Sequence, residues 1–435
     1  MTGRLPRGRG HDARATPTEP DTISVSRAIP VPDTCMRRTG GMTVLRRAAV
    51  FGAVAAAATV AAAGARVGGR AMVGRTEARL CTTRDAPPYL ASRRARALHQ
   101  RLWVADLHAD SLLWGRDLLR RSDRGHVDVP RLIEGNVALQ VFAATTRSPR
   151  HLNIERNDDR SDDVILLALA LGWPPATWRR LLPRALHLAA RADAMSARSE
   201  GRFTIIRSRS DLAAYEAVRA ERPTVTAGLL AIEGAHALDG DPANVEIVAD
   251  AGFRMMSPSH FFDTHFGGSA HGILKGGLTG AGREMVERME ARGMLVDVAH
   301  ASAATIDDVL AMASRPVVAS HTGVRGVADN ARNLTDAQLR GIADTGGVVG
   351  IGFWPTACGG EDVASIARSI RYAVDVAAVE HVGLGSDFDG AVPEPFDATG
   401  LVRLTDALLE AGFADDEVAR IMGGNVRRLL SDVLP

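Results

Sequence analysis

The chain has 435 residues, of which 46% are hydrophobic and 24% charged, an ordinary globular balance with ample length for a large core. A net charge of +1 and an aromatic content of 4% argue against a surface built for nucleic acid, an anionic membrane or base stacking. The three cysteines, Cys35, Cys81 and Cys358, form no CxxC pair, so a metal site here would use His and carboxylate ligands. A Cys81–Cys358 disulfide is left open.

Residues 1–41 are rich in Arg, Pro, Thr, Gly and Asp without apolar period, and are expected to be disordered or to precede the true start at Met42. Met42 to Arg47 is a basic lead, Ala48 to Ala65 an uncharged Ala-rich run, and Arg66 ends it. This layout predicts a signal peptide or N-terminal membrane anchor over 42–66, with small residues for cleavage at Ala63-Gly64-Ala65. Arg46-Arg47 is also compatible with twin-arginine export. The expected location is periplasmic, extracellular or membrane-anchored. Residues 67–94 read as a linker, broken by Gly68-Gly69 and Pro87-Pro88.

From 95 to 435 the pattern predicts one domain. A helix over 92–102 leads into short β-rich runs at 103–108, 137–144, 226–232, 253–259, 293–299, 316–320, 346–353 and 381–386, separated by amphipathic stretches such as 282–292 and 305–313. Several runs are almost continuously apolar, as parallel strands covered on both faces must be. Eight strand-then-helix units predict an α/β fold, a (β/α)8 TIM-type barrel. An open doubly wound sheet is the runner-up, without a GxGxxG loop after the first strand to support it. Residues 146–225 read as a helical insertion between the second and third strands, with helices near 158–172, 176–198 and 208–221. The Gly-rich 260–280 segment is expected over the C-terminal face of the barrel.

Polar residues gather where these strands end. Asp106, His108 and Asp110 alternate along the first strand and share one face. Glu233 ends the third strand, His260 the fourth, His300 the fifth, His321 the sixth and Asp387 the eighth. The C-terminal strand ends are where a barrel builds its active site. Four of the chain's 13 His occupy such positions. Imidazole and carboxylate together suit a divalent metal such as zinc, and the convergence predicts a metal-dependent hydrolase.

The blocks Asp106-Leu107-His108-Ala109-Asp110, Ile232-Glu233-Gly234-Ala235-His236, Ser257-Pro258-Ser259-His260, Leu295 to His300, Ala319-Ser320-His321, Ala331-Arg332-Asn333, Gly383 to Gly390 and Gly423-Gly424-Asn425 resemble the membrane dipeptidase family (renal dipeptidase type, peptidase family M19) from about residue 95 to the end. The resemblance implies a (β/α)8 barrel and a dipeptidase with two zinc ions and a hydroxide held between them. His108 and Asp110 would hold one ion, His300 and His321 the other, and Glu233 would bridge. His260 would sit at the substrate carbonyl, Arg332 would bind the substrate carboxylate, and Asp387 would carry protons. Substrates would be dipeptides, including those with a C-terminal D-residue, and a homodimer is left open. Asn330, where many relatives have His, and Gly267 to His271, which is similar to a bacterial branch, bear on side-chain preference.

Other readings stand beside these roles: a structural His260, Asp387 as a helix N-cap or a metal ligand, Asp389 as the N-cap instead, Asp106 as a partner of His108 or a plain strand-end hydrogen bond, a structural Asp297, a surface Arg332, and His236, His265 and His271 as solvent-exposed loop residues. Rival functions are another binuclear amidohydrolase, such as a deaminase or lactonase, and a non-catalytic exported binding barrel. His108-Ala109-Asp110 in place of His-x-His, with Glu233 available as a bridge, favours the dipeptidase.

Overall fold

The structure, a computed structural model, describes residues 67–435. The predicted leader over 42–66 lies outside the described residues, and no described helix is long and apolar enough to cross a membrane. Nine strands are present: β1 Val104–Ala109, β2 Val137–Thr145, β3 Phe203–Ile205, β4 Thr226–Glu233, β5 Phe253–Met256, β6 Leu295–Val296, β7 Val318–Thr322, β8 Val348–Ile351 and β9 Val382–Leu384. All pairings within the sheet are parallel, in the order β6-β5-β4-β2-β1-β9-β8-β7. A parallel bridge from Asp297 to Val318, with Val298 N donating to Val318 O at 2.8 Å, joins the two ends and closes the ring. The eight predicted strands are the eight staves of this (β/α)8 barrel.

Burial explains why they read so plainly. Every residue of β1, β2 and β4 is buried, so these strands had to be apolar at nearly every position. Helices follow with local start signals: Ser92 caps Arg93–His99, Thr279 caps Gly280–Ala291, Ser302 caps Ala303–Met312, and Thr335 forms a capping box with Gln338. The Gly423-Gly424-Asn425 block ends in a buried amide, and Asn425 Nδ2 donates to Val379 O and Val382 O at 2.6 and 2.8 Å, tying the last helix to β9.

Two stretches differ from expectation. Between β2 and β4 the chain forms helices Val164–Leu171, Leu181–Arg198 and Arg209–Glu221, but β3 interrupts them and pairs with β4. Only three residues long, β3 falls below the length at which periodicity is readable. Residues 67–80, expected as linker, are helical, and Val73, Glu77 and Cys81 are buried against the barrel. Gly68-Gly69 lies within this helix and does not break it. Cys81 and Cys358 are both buried free thiols, so the disulfide left open by the sequence is absent.

Candidate functional site

The C-terminal ends of the strands converge as the barrel geometry requires. Glu233, the last residue of β4, stands at the centre. Its Oε1 lies 3.5 Å from His108 Nε2, 3.1 Å from His300 Nε2 and 3.4 Å from His321 Nε2. Its Oε2 lies 3.4 Å from His260 Nε2. Asp110 Oδ2 and Asp387 Oδ1 are each 4.0 Å from the same His108 Nε2. The donor atoms form three overlapping groups, His108–Asp110–Glu233, Glu233–His260–His300 and His108–His321–Asp387. All seven strand-end residues picked from the sequence are therefore brought together, and Glu233 stands between the two pairs.

Backbone and packing place these groups. His300 and Asp387 both have positive φ, 62° and 66°, a costly conformation for residues other than glycine and one that collects at functional sites. Gly390 must be glycine, because a Cβ there would meet Asp387 Oδ1 at 2.0 Å. Gly234, at φ 94°, passes between the His236 ring and His260 Cβ and leaves no room for a side chain.

Hydrogen bonds set which ring nitrogens are free. Ser320 Oγ donates to Asp297 Oδ2 at 2.6 Å, so it accepts from His321 Nδ1 at 2.9 Å. The Ile154 carbonyl takes the His271 Nδ1 proton at 2.6 Å, so His271 Nε2 accepts from His300 Nδ1 at 3.1 Å. Both rings thus carry their proton on Nδ1 and present an Nε2 lone pair inward. These two lone pairs face each other at 2.9 Å, which is unfavourable without a cation. His108 Nε2 and His260 Nδ1 are buried without a hydrogen-bond partner. Thr145 Oγ1, at the end of β2, contacts Asp110 Oδ1 at 2.6 Å and Glu233 Oε2 at 2.9 Å.

The electrostatics fit the same conclusion. Burial lowers His108 to about 3 and holds His300 and His321 well below the usual imidazole range. Burial raises Glu233 to about 7. Burial, then Glu233 and Asp387, push Asp110 well up, and burial, then Glu233, do the same to Asp387. Buried neutral imidazoles offer a cation their lone pairs, and the carboxylates crowded beside them gain from its positive charge. The donor set of nitrogens and carboxylate oxygens fits a divalent metal.

Arg332 lies at the same site. It is 6% exposed, its NH2 donates to His321 O at 2.6 Å, and its guanidinium stands 5.6 Å from the Trp354 ring. No described carboxylate lies within 4.0 Å of it. Burial lowers it to about 10, and Asp387, Glu233 and Asp297 oppose that shift.

Several residues take different parts from those expected. Asp106 does not touch the His108 ring; its carboxylate accepts from Ser386 N, Ser386 Oγ and Gln140 Nε2 at 2.6–2.7 Å, pinning β1 to the strand that leads to Asp387. Neither Asp387 nor Asp389 caps a helix; the next helical turn is capped by Asp397. Asp297 is structural, as expected, bonding Ala299 N and Ser320. His265 is exposed as expected, but His236 and His271 are buried. His271 had no local signal, since its partner His300 lies 29 residues away. Thr145, at the end of β2, and Ser320, next to His321 in β7, were not singled out either.

A model of the membrane dipeptidase family (peptidase family M19) matches residues 92–434. A dipeptidase of Aspergillus oryzae (aclJ) is 34% identical over 48% of this chain and 52% of its own length. Another, of Clonostachys rogersoniana (verJ), is 28% identical over 71% of this chain and 83% of its own. A solved metallopeptidase from Rhodobacter sphaeroides, bound to a phosphinate mimic of the dipeptide L-Ala-D-Ala, is 26% identical over 76% of this chain and 99% of its own, with a TM-score of 0.63. With a matched stretch that spans the barrel and takes in every strand-end group described above, this chain belongs to the membrane dipeptidase family, peptidase family M19, and is a metallodipeptidase.

Proposed function

We propose that the protein is a binuclear zinc dipeptidase whose substrates include dipeptides with a C-terminal D-residue. The observation that carries the two-metal reading is the single Glu233 Oε1 within 3.1–3.5 Å of three inward-facing imidazole nitrogens. His108 and Asp110 would hold one ion, His300 and His321 the other, and Glu233 would serve both. When bound, zinc supplies Lewis acidity, bringing the pKa of water to roughly 7 and polarising a carbonyl. The Rhodobacter sphaeroides relative's L-Ala-D-Ala mimic supports the stereochemical part.

The chain's own residues do the rest. His260 turns its ring toward Glu233 and donates a hydrogen bond to the scissile carbonyl oxygen as negative charge develops there. Asp387 accepts the proton of the attacking water and passes it to the leaving amine. Among the described residues no carboxylate pairs with Arg332, and beyond the one NH2 hydrogen given to His321 O its remaining N–H groups would take the substrate's terminal carboxylate through two parallel bonds. Metal analysis tests the reading: purified protein should carry close to two zinc equivalents, and a strong chelator should abolish dipeptide hydrolysis until zinc is restored. Full activity in a metal-free preparation overturns it.

Arg332 also explains a preference for dipeptides. A longer peptide places an uncharged amide where the carboxylate would sit. Arg332→Ala is expected to lower kcat/KM on a free dipeptide by about 10–100-fold, the worth of a charge-assisted bond, and far less on the dipeptide amide. Zinc content should stay unchanged. Equal losses on both substrates would show that Arg332 does not read the carboxylate.

A further inference from the structure

The loop that carries Asp387 is unusual in its backbone. Asp387, Asp389 and Ala391 have φ of 66°, 64° and 61°, three left-handed residues other than glycine within five. Such a run persists only where surrounding contacts over-determine it. Part of that constraint comes from residues 67–85, which precede the stretch matched by the family.

The contacts form a chain. Asp389 is fully buried, and its carboxylate accepts from Ser111 Oγ, from Arg116 NH2 at 2.5 Å and from His126 N at 2.6 Å. Arg116 Nε donates to Glu77 Oε1, and Glu77 Oε2 accepts from Arg124 Nε at 2.8 Å. Glu77 is itself fully buried on the 67–80 helix. The His126 ring accepts from Asp389 N at 2.9 Å and donates to Thr82 O at 3.1 Å. Beyond it the backbones zip together, with Glu394 N to Thr82 O at 2.9 Å, Arg84 N to Glu394 O at 2.8 Å and Asp85 N to Pro395 O at 3.1 Å.

We propose that Glu77 is a positioning residue for Asp387, acting through Arg116 and Asp389, and that the segment 67–85 is therefore part of the active-site scaffold. The proposal rests on Asp387 as the proton carrier. Arg116 is held between two buried carboxylates. Without the Glu77 charge it keeps one, the fork loses its anchor on the helix, and the strained loop loses a constraint two residues from Asp387. Glu233, His300 and His321 sit on other strand ends and keep their places, and Asp110 stays tied to this loop through its N–H to Phe388 O at 2.9 Å, a backbone bond that the Glu77 substitution does not remove.

A double-mutant cycle on the full chain tests this. Glu77→Gln should lower kcat by about 10-fold or more, because a misplacement near 1 Å can cost up to about 10²-fold, with KM and zinc content unchanged. Glu77→Asp, which keeps the charge, should recover part of the loss. In an Asp387→Asn background, Glu77→Gln should cost less than about 2-fold, since residues that act as a unit are non-additive. The same loss in both backgrounds, or no loss in either, overturns the inference. If Glu77→Gln does not fold, Arg116→Lys, which keeps the positive charge and removes the fork that joins Glu77 to Asp389, takes its place in the cycle. Wild-type kcat in Asp387→Asn alone would defeat the proton-carrier reading and this inference with it; an impaired Asp387→Asn beside a neutral Glu77→Gln defeats the inference alone.

Discussion

Glu233→Gln should strip zinc from the protein and reduce dipeptide hydrolysis by at least about 10³-fold, the several kcal/mol that metal catalysis supplies at roughly 1.4 kcal/mol per tenfold. The substitution keeps the shape of the side chain and removes its charge. One oxygen of Glu233 faces His108, His300 and His321, and the other faces His260 and the Thr145 hydroxyl. An amide can turn its single oxygen to only one of these sides and must present hydrogen atoms to the other. The buried charge that a cation requires is also gone. Because the carboxylate serves both positions, metal should fall at both together rather than by half. Zinc content by elemental analysis beside kcat/KM decides the matter. A variant that retains one full equivalent would show that Glu233 belongs to a single site, and one that retains two would show that it is no ligand.

Asp387→Asn is expected to lower kcat by about 10²–10⁴-fold, the usual contribution of general acid–base catalysis, while both zinc ions stay bound. Burial and Glu233 push this carboxyl well above its ordinary range, and Arg332 pulls it back, so it is suited to holding a proton during turnover. Its Oδ1 stands 4.0 Å from His108 Nε2, within reach of the groups that would hold the metal. Asparagine retains the contour above Gly390 and cannot take the proton. The specific rival is a metal-ligand role, which the proximity of the Asp387, His108 and His321 donor atoms makes concrete. Zinc analysis separates the two: loss of metal in Asp387→Asn would reassign the residue as a ligand, and retained metal with wild-type kcat would remove it from the reaction.

The sequence by itself determined the eight barrel staves and the residues at their C-terminal ends. Both are local properties. A strand buried on both faces must be apolar at nearly every position, so β2 and β4 are legible within a window of nine residues or fewer. The residue that breaks such a run with a His or a carboxylate marks the strand end, which is how His108, Glu233, His300 and His321 could be picked without coordinates. Arg332 is a different case, since it came from the family resemblance alone. Tertiary structure decided everything that depends on which strand ends become neighbours around the ring. Asp106 has the same strand parity as His108, yet its buried charge needs donors, and these come from Gln140, 34 residues on, and from Ser386, 280 residues on. His271 sits in a Gly-rich loop that reads as solvent-facing, and only the fold over β6 brings its ring to His300. Glu77 lies in a stretch that reads as linker, and its burial exists because Arg116 and Arg124 meet it from another part of the chain. Apolar periodicity is written along the chain; the partner of a buried polar group is chosen across it, because what satisfies that group is whichever donor the closed barrel places beside it.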